Sequence, residues 1–404
     1  MAPRCRVTAA TPLATLAAVA PTAELSEERV VERVSTLELF FDLVFVFTVT
    51  QLTAVLTHEL SWSSLGQVVL MLGLIWWMYD GYAWLTNAVS TRGAAARAVL
   101  LGGMAGYLVI ALAIPGAFDG SGLSFGLAYA LVVAVHATLY VNLASDRSSE
   151  AIRGIVPFNL ASAALVVIGG ALGGTAQAVL WTVAVVLEWI TPRLAGRGES
   201  QQEFEIAPAH FVERHGLVII VAIGESVVAI GIGAASLPVN AELVLVAILG
   251  LLLAAGLWWA YFGADDDEQA ERALVAAPAP KRPWIALHGF GMAHFFLLLG
   301  IVLVAVGLKK ATGHAYDALT YGQALALGGG VAVFLAADVA FRRVLGLGRS
   351  PHRAVAAAAA LATVPLGAEV AAVAQIGVLA AVLALALGGE GSLTSRRPER
   401  TAPR

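Results

Sequence analysis

Apolar positions run along this chain in long unbroken stretches, not in the alternation of a half-buried strand or the one-sided stripe of a soluble helix. A helix needs roughly 20 apolar residues to cross the hydrocarbon core of a bilayer. Windows of that kind, set off by short loops rich in Gly, Pro, Ser or charge, predict twelve spans. The first six lie near residues 37–57, 64–86, 98–117, 123–144, 154–172 and 175–192. The second six lie near 211–235, 241–263, 285–308, 318–341, 353–368 and 370–388. The last two share the Ala-rich stretch Ala354–Ala386, which must break near Pro365, Gly367 and Glu369 to hold both. The expected fold class is all-α, a polytopic transmembrane helix bundle of about twelve spans.

Basic residues give this bundle a direction, because Lys and Arg concentrate in cytoplasmic loops. The N-terminal tail carries Arg4, Arg6, Arg29 and Arg33. Every second loop then adds its own: Arg92 and Arg97; Arg147 and Arg153; Arg193, Arg197 and Arg214; Arg272, Lys281 and Arg282; Arg342, Arg343, Arg349 and Arg353. Arg396, Arg397, Arg400 and Arg404 close the chain, so of the 24 basic residues only Lys309 and Lys310 fall on the opposite side. A miscounted span would have scrambled this alternation. The expectation is a multi-pass protein of the cytoplasmic membrane with both termini in the cytoplasm. It divides into a disordered tail (1–34), a six-helix segment (35–194), a linker (195–209), a second six-helix segment (210–389) and a C-terminal tail (390–404). Arg4 and Arg6 ahead of Thr11–Ala20 have the outline of a signal peptide. That run is short and interrupted by Pro12 and threonines, so a cytoplasmic tail is the reading.

The two segments echo each other. Glu32-Arg33 precedes the first span and Glu213-Arg214 the seventh, with 44 positions from Glu32 to Trp76-Trp77 and 45 from Glu213 to Trp258-Trp259. Tyr79 and Tyr261 follow the Trp pairs at one offset, and Gly103-Met104-Ala105 matches Gly291-Met292-Ala293. Ordered, near-equal spacings of this kind indicate an internal duplication. An even number of spans per repeat makes the halves parallel, related by an axis along the membrane normal, as in the two halves of some transporters.

Composition narrows the function classes. Hydrophobic residues are 59% of the 404 and charged residues 13%, with a mean hydropathy of +0.82. A soluble domain carries about 25% charged residues, which excludes a cytoplasmic enzyme and a disordered scaffold. A net charge of −4 with no basic face excludes nucleic acid as a partner. The single cysteine, Cys5, rules out disulfide frameworks and multi-thiolate metal sites. No Walker loop, dinucleotide fingerprint or nucleophile–His–acid arrangement is present, so no cofactor and no catalytic residue is expected, and the chain leans away from an enzyme. The expected partners are the lipid bilayer and a proton or small-molecule substrate.

Ionisable side chains inside spans cost about 2.5–3.5 kcal/mol each on insertion scales and call for a role. Glu38 and Asp42 are four apart and share one face of the first helix. Asp42 lies 34 positions before its Trp pair and Glu225 lies 33 before the other, an acid on the opening helix of each half. Glu225 sits within Gly224-Glu225-Ser226, with Gly231 and Gly233 beyond it to allow close packing. Asp42 and Glu225, with Glu38, are the candidate proton or cation site between the repeats, or else buried acids that hold the bundle together. His136 and His294 fall near mid-membrane, where a neutral imidazole can relay protons or bond across a helix pair. Asp80 follows the first Trp pair toward the cytoplasmic side. Asp338 is expected to pair with Arg342 one turn later, and Glu188 at the inner end of the sixth span is ambiguous. His210 and His215 fit neither zinc-protease order and project about 140° apart, so no metal is expected. The run Asp265–Glu268 is read as a solvated loop, and the four tryptophans as interfacial belt residues.

Several of these segments resemble a known family. Glu38-Leu-Phe-Phe-Asp-Leu-Val-Phe-Val-Phe47, ending in Thr50-Gln51-Leu52, is similar to the opening signature of the low temperature requirement protein A (LtrA) family. Glu213-Arg-His-Gly-Leu217 with Gly224-Glu-Ser226 resembles its second signature, and Trp258-Trp-Ala-Tyr-Phe262 and Leu327-Gly-Gly-Gly-Val-Ala332 resemble further segments. The likeness runs from about residue 30 to 345. It departs after Asn87 and at the triple aspartate, and the C-terminal Ala-rich pair matches only in character. It implies a bacterial integral membrane protein named for growth in the cold, and it carries no residue roles onto Glu38, Asp42 or Glu225. The leading expectation is a secondary transporter or ion-coupled carrier. The alternatives are a structural or regulatory membrane protein supporting growth or envelope function in the cold, and an intramembrane enzyme acting on lipid.

Overall fold

A computed structural model describes residues 33–89, 93–195, 204–263, 266–348 and 350–394. The signal-peptide-like run, Arg4, Arg6, Arg29, the C-terminal arginines, Arg92, Arg197, Arg349 and Asp265 lie outside them. The described chain is helical, and its first ten predicted spans fall on helices. These are α1 (Thr36–His58), α2 (Trp62–Ala88), α3 (Ala94–Ala113, continued by a 3-10 turn to Gly116), α4 (Gly122–Leu143), α5 (Asp146–Leu172) and α6 (Gly174–Ala195). The second set is α7 (Pro208–Ala234), α8 (Ala241–Phe262), a short α9 (Asp266–Ala276), α10 (Arg282–Ile285) running through a π-helical segment (Ala286–Ala293) into α11 (His294–Ala311), and α12 (Tyr321–Leu345). Among the described residues, 10 helices are long and apolar enough to cross a membrane.

The last two predicted spans are built differently. α13 (Pro351–Ala362) stops at Thr363, α14 (Val364–Glu369) is a single short piece, and α15 (Ala372–Thr394) follows. The breaks fall where Pro365 and Glu369 predict them, since a proline cannot donate the helical hydrogen bond of its position. At 12 residues, α13 is roughly 18 Å long and does not cross the core alone. The described residues thus supply ten helices of spanning length, with α13 and α14 each too short to cross singly.

Local chemistry starts α1 and also prepares the site. Ser35 caps the helix in a reciprocal capping box with Glu38. Glu38 Oε2 accepts from the Ser35 backbone N–H and hydroxyl, both at 2.8 Å. One carboxylate oxygen is thereby held at the helix start, and Oε1 is left to face α7. Ser35→Ala is expected to lower stability by about 1 kcal/mol, read as a lower midpoint of thermal unfolding.

Neighbour relations recur along the chain. α1 packs on α3, α3 on α4, α4 on α5, and α2 on α6; α7 packs on α11, α11 on α12, α12 on α13, and α8 on α15. α1 also packs directly on α7. Small residues set the closest approach: a Cβ on Gly330 of α12 would lie 2.7 Å from the Val304 nitrogen and 2.8 Å from the Gly300 oxygen of α11. Such backbone proximity is the usual route to tight helix pairs in lipid. Gly224 and Gly231, expected to serve packing, have nothing within 4 Å of such a Cβ; only Gly233 of the three sits against a neighbour, at Thr312 and Lys309.

Candidate functional site

The first site residues come from two helices that carry complementary pairs at the same spacing. α1 presents Glu38 and Asp42 one turn apart, and α7 presents His210 and Arg214 one turn apart. They meet in register. His210 Nε2 lies 3.1 Å from Glu38 Oε1, Arg214 Nη2 3.1 Å from Asp42 Oδ1, and Arg214 Nη1 3.5 Å from Glu38 Oε1. Pairs that ascend together make α1 and α7 parallel. Arg214 and Asp42 are each 1% exposed. The Arg214 guanidinium sits 5.6 Å from the ring centres of both Phe41 and Tyr79, and Tyr79 donates its hydroxyl proton to Asp42 Oδ1 at 2.7 Å.

A second layer starts from the next residue of α7, which points to α2 instead of α1. His215 Nε2 is 3.1 Å from Asp80 Oδ1 of α2. Trp76, a turn before Asp80, donates its indole N–H to the Gly291 carbonyl of the π-helical segment at 2.6 Å. His294, where that segment ends, stacks with Trp76 at 6.3 Å and 4° and meets the His215 ring edge-on at 5.3 Å. Its Nε2 is 2.7 Å from the Tyr261 hydroxyl. Short π-helical pieces break the regular ladder and recur at functional sites. Here one brings backbone carbonyls to Trp76 and His294.

The partners of each imidazole assign its protons, since a carbonyl can only accept. Asn87 accepts the Ala207 N–H through Oδ1, so its Nδ2 is the nitrogen 3.3 Å from His210 Nδ1. His210 therefore accepts there and carries its proton on Nε2, toward Glu38. His294 donates Nδ1–H to the Gly289 carbonyl at 3.0 Å and accepts the Tyr261 hydroxyl. His215 donates Nδ1–H to the Phe211 carbonyl at 2.8 Å, so the contact with Asp80 holds one further proton, on His215 Nε2 or on Asp80 Oδ1. The Asp80–His215 pair is neutral in either form. That leaves Glu38 and Asp42 facing the single guanidinium of Arg214, and Asp42 Oδ2 has no hydrogen-bond partner. Two buried carboxylates thus share one guanidinium.

Beside this cluster is a cavity of about 250 Å³ between α2, α4, α5, α6 and the start of the ninth span. Asp80 lines it, as do His136 and four tryptophans, Trp77, Trp84, Trp189 and Trp284. His136 Nε2 bonds the carbonyl of Gly81, the residue after Asp80, at 3.0 Å.

A family model described as Bacterial low temperature requirement A protein (LtrA) matches residues 33–387. This chain belongs to the LtrA family. An uncharacterized protein of Rhizobium meliloti (strain 1021) is 32% identical over 316 residues, which is 76% of either chain. No solved structure matches the LtrA chain. The resembling segments now have a physical meaning: the first contributes Glu38 and Asp42, the second Arg214 and His215, and they meet across the α1–α7 contact.

The candidate residues of this LtrA protein separate into three places. Glu38, Asp42 and His294 join the cluster, and His136 lines the cavity beside it. Glu225 does not converge with Asp42: it accepts the Thr50 hydroxyl at 2.6 Å, and Thr50 lies eight residues beyond Asp42, about 12 Å along α1. Arg214, expected in a basic loop, is instead buried in α7, because two acids of α1 offer it charge there. Trp76 is buried at 3% exposure, while Trp258 and Trp259 are 40% and 56% exposed, so only the second pair faces outward. Asp338 does not pair with Arg342. It accepts from Arg353 Nη1 at 2.6 Å, and Arg342 binds Asp266. Asp266 is thus buried in an ion network joining α9, α12 and α13 and not part of a solvated loop. Glu188 accepts from Tyr129 and Ser162 in the contact of α4, α5 and α6. Sequence reading missed Arg214, His215 and His210 as site residues. The signal that finds His210 and Arg214 is the repeated four-residue spacing of opposite charge on two helices; His215 leaves no such sign.

Proposed function

We propose that this LtrA protein is a proton-coupled carrier whose coupling centre is the Glu38–Asp42–Arg214 cluster with the Asp80–His215 pair. The observation that carries this reading is the charge count. Two buried carboxylates face one guanidinium, and a buried unbalanced charge is costly enough that such groups take up a proton or a cation. Asp42 Oδ2, unpartnered, is the atom that receives it. The Asp80–His215 pair holds a second proton that shifts between two heavy atoms at no change in net charge, and Asp80 passes the influence of that shift to the cavity it lines. Embedded acids and histidines in this arrangement are characteristic of proton-relaying transporters. Twelve spans in two parallel sets of six, with both termini in the cytoplasm, complete the proposal. The recurrence of neighbours, α1 on α3 as α7 on α11 and α2 on α6 as α8 on α15, supports the duplication.

The test is proton flux into proteoliposomes under an imposed potential. Wild type is expected to exceed empty liposomes, and Asp42→Asn and Asp80→Asn to fall to the empty-liposome rate while still folded. Glu225→Gln, whose carboxyl bonds Thr50 away from the cluster, is expected to keep wild-type flux. A wild-type rate no higher than that of empty liposomes removes the carrier reading. Equal loss in Glu225→Gln removes the assignment of the centre.

A further inference from the structure

Three residues lining the cavity beside α2 carry a polar atom that no described residue satisfies. The first is Asp80, whose Oδ1 is taken by His215 and whose Oδ2 accepts nothing. The others are His136, through Nδ1, and Tyr140, through its hydroxyl. None is more than 4% exposed, so the polar floor of the cavity is buried, while its rim at Trp284 and Arg193 is exposed. The chemistry of the three atoms is nearly fixed. His136 Nε2 faces the Gly81 carbonyl and must donate to it, which leaves Nδ1 a lone pair. Asp80 Oδ2 accepts in both forms of the Asp80–His215 pair. Only the Tyr140 hydroxyl can donate. Around these acceptors stand the tryptophans already named, whose ring faces attract cations. Arg193, the cationic side chain in the lining, is exposed at the end of α6.

The geometry points to a binding site, in this cavity, for an organic ammonium ion with an apolar body. An ammonium brings three donors and a positive charge, which matches two acceptors and a carboxylate. An apolar body matches the indole walls. A carboxylate ligand would set its charge against Asp80. This assignment names the cargo class of the proposed carrier and rests on that reading, yet binding is measured without any gradient.

The experiment is titration calorimetry on the full chain in lipid nanodiscs with three probes of one shape: phenethylammonium, 2-phenylethanol and 3-phenylpropanoate. Phenethylammonium is expected to bind at least about tenfold more tightly than the alcohol, as a charge-assisted contact does over a neutral one, and the anion not at all. Asp80→Asn is expected to erase the preference for the ammonium. Tyr140→Phe, which keeps the packing, is expected to weaken it only a few-fold. Should Asp80→Asn fail to fold, the ranking of the three probes on wild type still decides. An alcohol or anion bound as tightly as the ammonium overturns the proposal, as does a preference that survives Asp80→Asn. Ammonium binding without proton flux would keep the site and remove the carrier; flux without ammonium binding would do the reverse.

Discussion

Arg214→Met is expected to destabilise the protein by about 3–5 kcal/mol, the usual consequence of removing one partner from a buried ion pair. The side chain is 1% exposed and serves two acids, Asp42 at 3.1 Å and Glu38 at 3.5 Å. Methionine fills much of the same volume, so packing against Phe41 and Tyr79 largely survives and the loss is electrostatic. Arg214→Lys should fail as well, because a point charge cannot reach two carboxylates on successive turns as a guanidinium fork does. The check is the thermal unfolding midpoint in detergent, with Asp42→Asn/Arg214→Met as the companion. The double variant removes an unbalanced charge and should be more stable than Arg214→Met alone. Were Arg214→Met to melt with wild type, the pairing across α1 and α7 would not contribute as argued.

Gly330→Leu is expected to prevent α11 and α12 from packing. A Cβ there meets the Val304 nitrogen at 2.7 Å and the Gly300 oxygen at 2.8 Å. These are backbone atoms of a helix and cannot step aside as a side chain does. Overpacking usually costs about 1–3 kcal/mol when neighbours can shift, and here the whole helix must move. Size-exclusion profiles should show aggregate in place of a monodisperse peak. Gly231→Ala serves as control, since no atom stands within 4 Å of its added carbon and wild-type behaviour is expected. A monodisperse Gly330→Leu protein would mean that the two helices are not held at this distance.

How far the sequence reached varied from element to element, for physical reasons. α1 through α8 are legible because a lipid-crossing helix must be apolar over about 20 residues, a constraint of composition alone. The break at Thr363–Pro365 is equally local, since it follows from proline geometry. The acid pair on α1 was legible as well, because a spacing of four places both carboxylates on one face. The π-helical turn at Ala286–Ala293 left no such sign. Its residues are as apolar as those of the span around it, and the irregularity shows only in which carbonyls Trp76 and His294 reach.

Misread positions share one cause. Arg214, Asp266 and Asp338 were judged by their nearest charges along the chain, where spacing along one helix decides. Their partners lie on other helices: Arg214 on Asp42, Asp266 on Arg342, and Asp338 on Arg353. The expected meeting of Asp42 and Glu225 in one site depended on distant neighbours in the same way. Similar offsets from the Trp pairs gave them matching depth in their own halves, but their partners, Arg214 and Thr50, keep them about 12 Å apart along α1.

By itself, the sequence determined that this protein lives in a bilayer, where most of its helices start and stop, and that acids and histidines are embedded in them. Those properties follow from the solvent: hydrocarbon excludes charge and unsatisfied backbone, so each span declares itself over a contiguous stretch. Only the tertiary structure decided which acid meets which base, which groups each histidine bonds, and that Asp80 joins the ion cluster to an aromatic cavity. A charge in a low-dielectric interior is governed by whatever lies within a few ångströms, and those neighbours come from helices far apart in the chain.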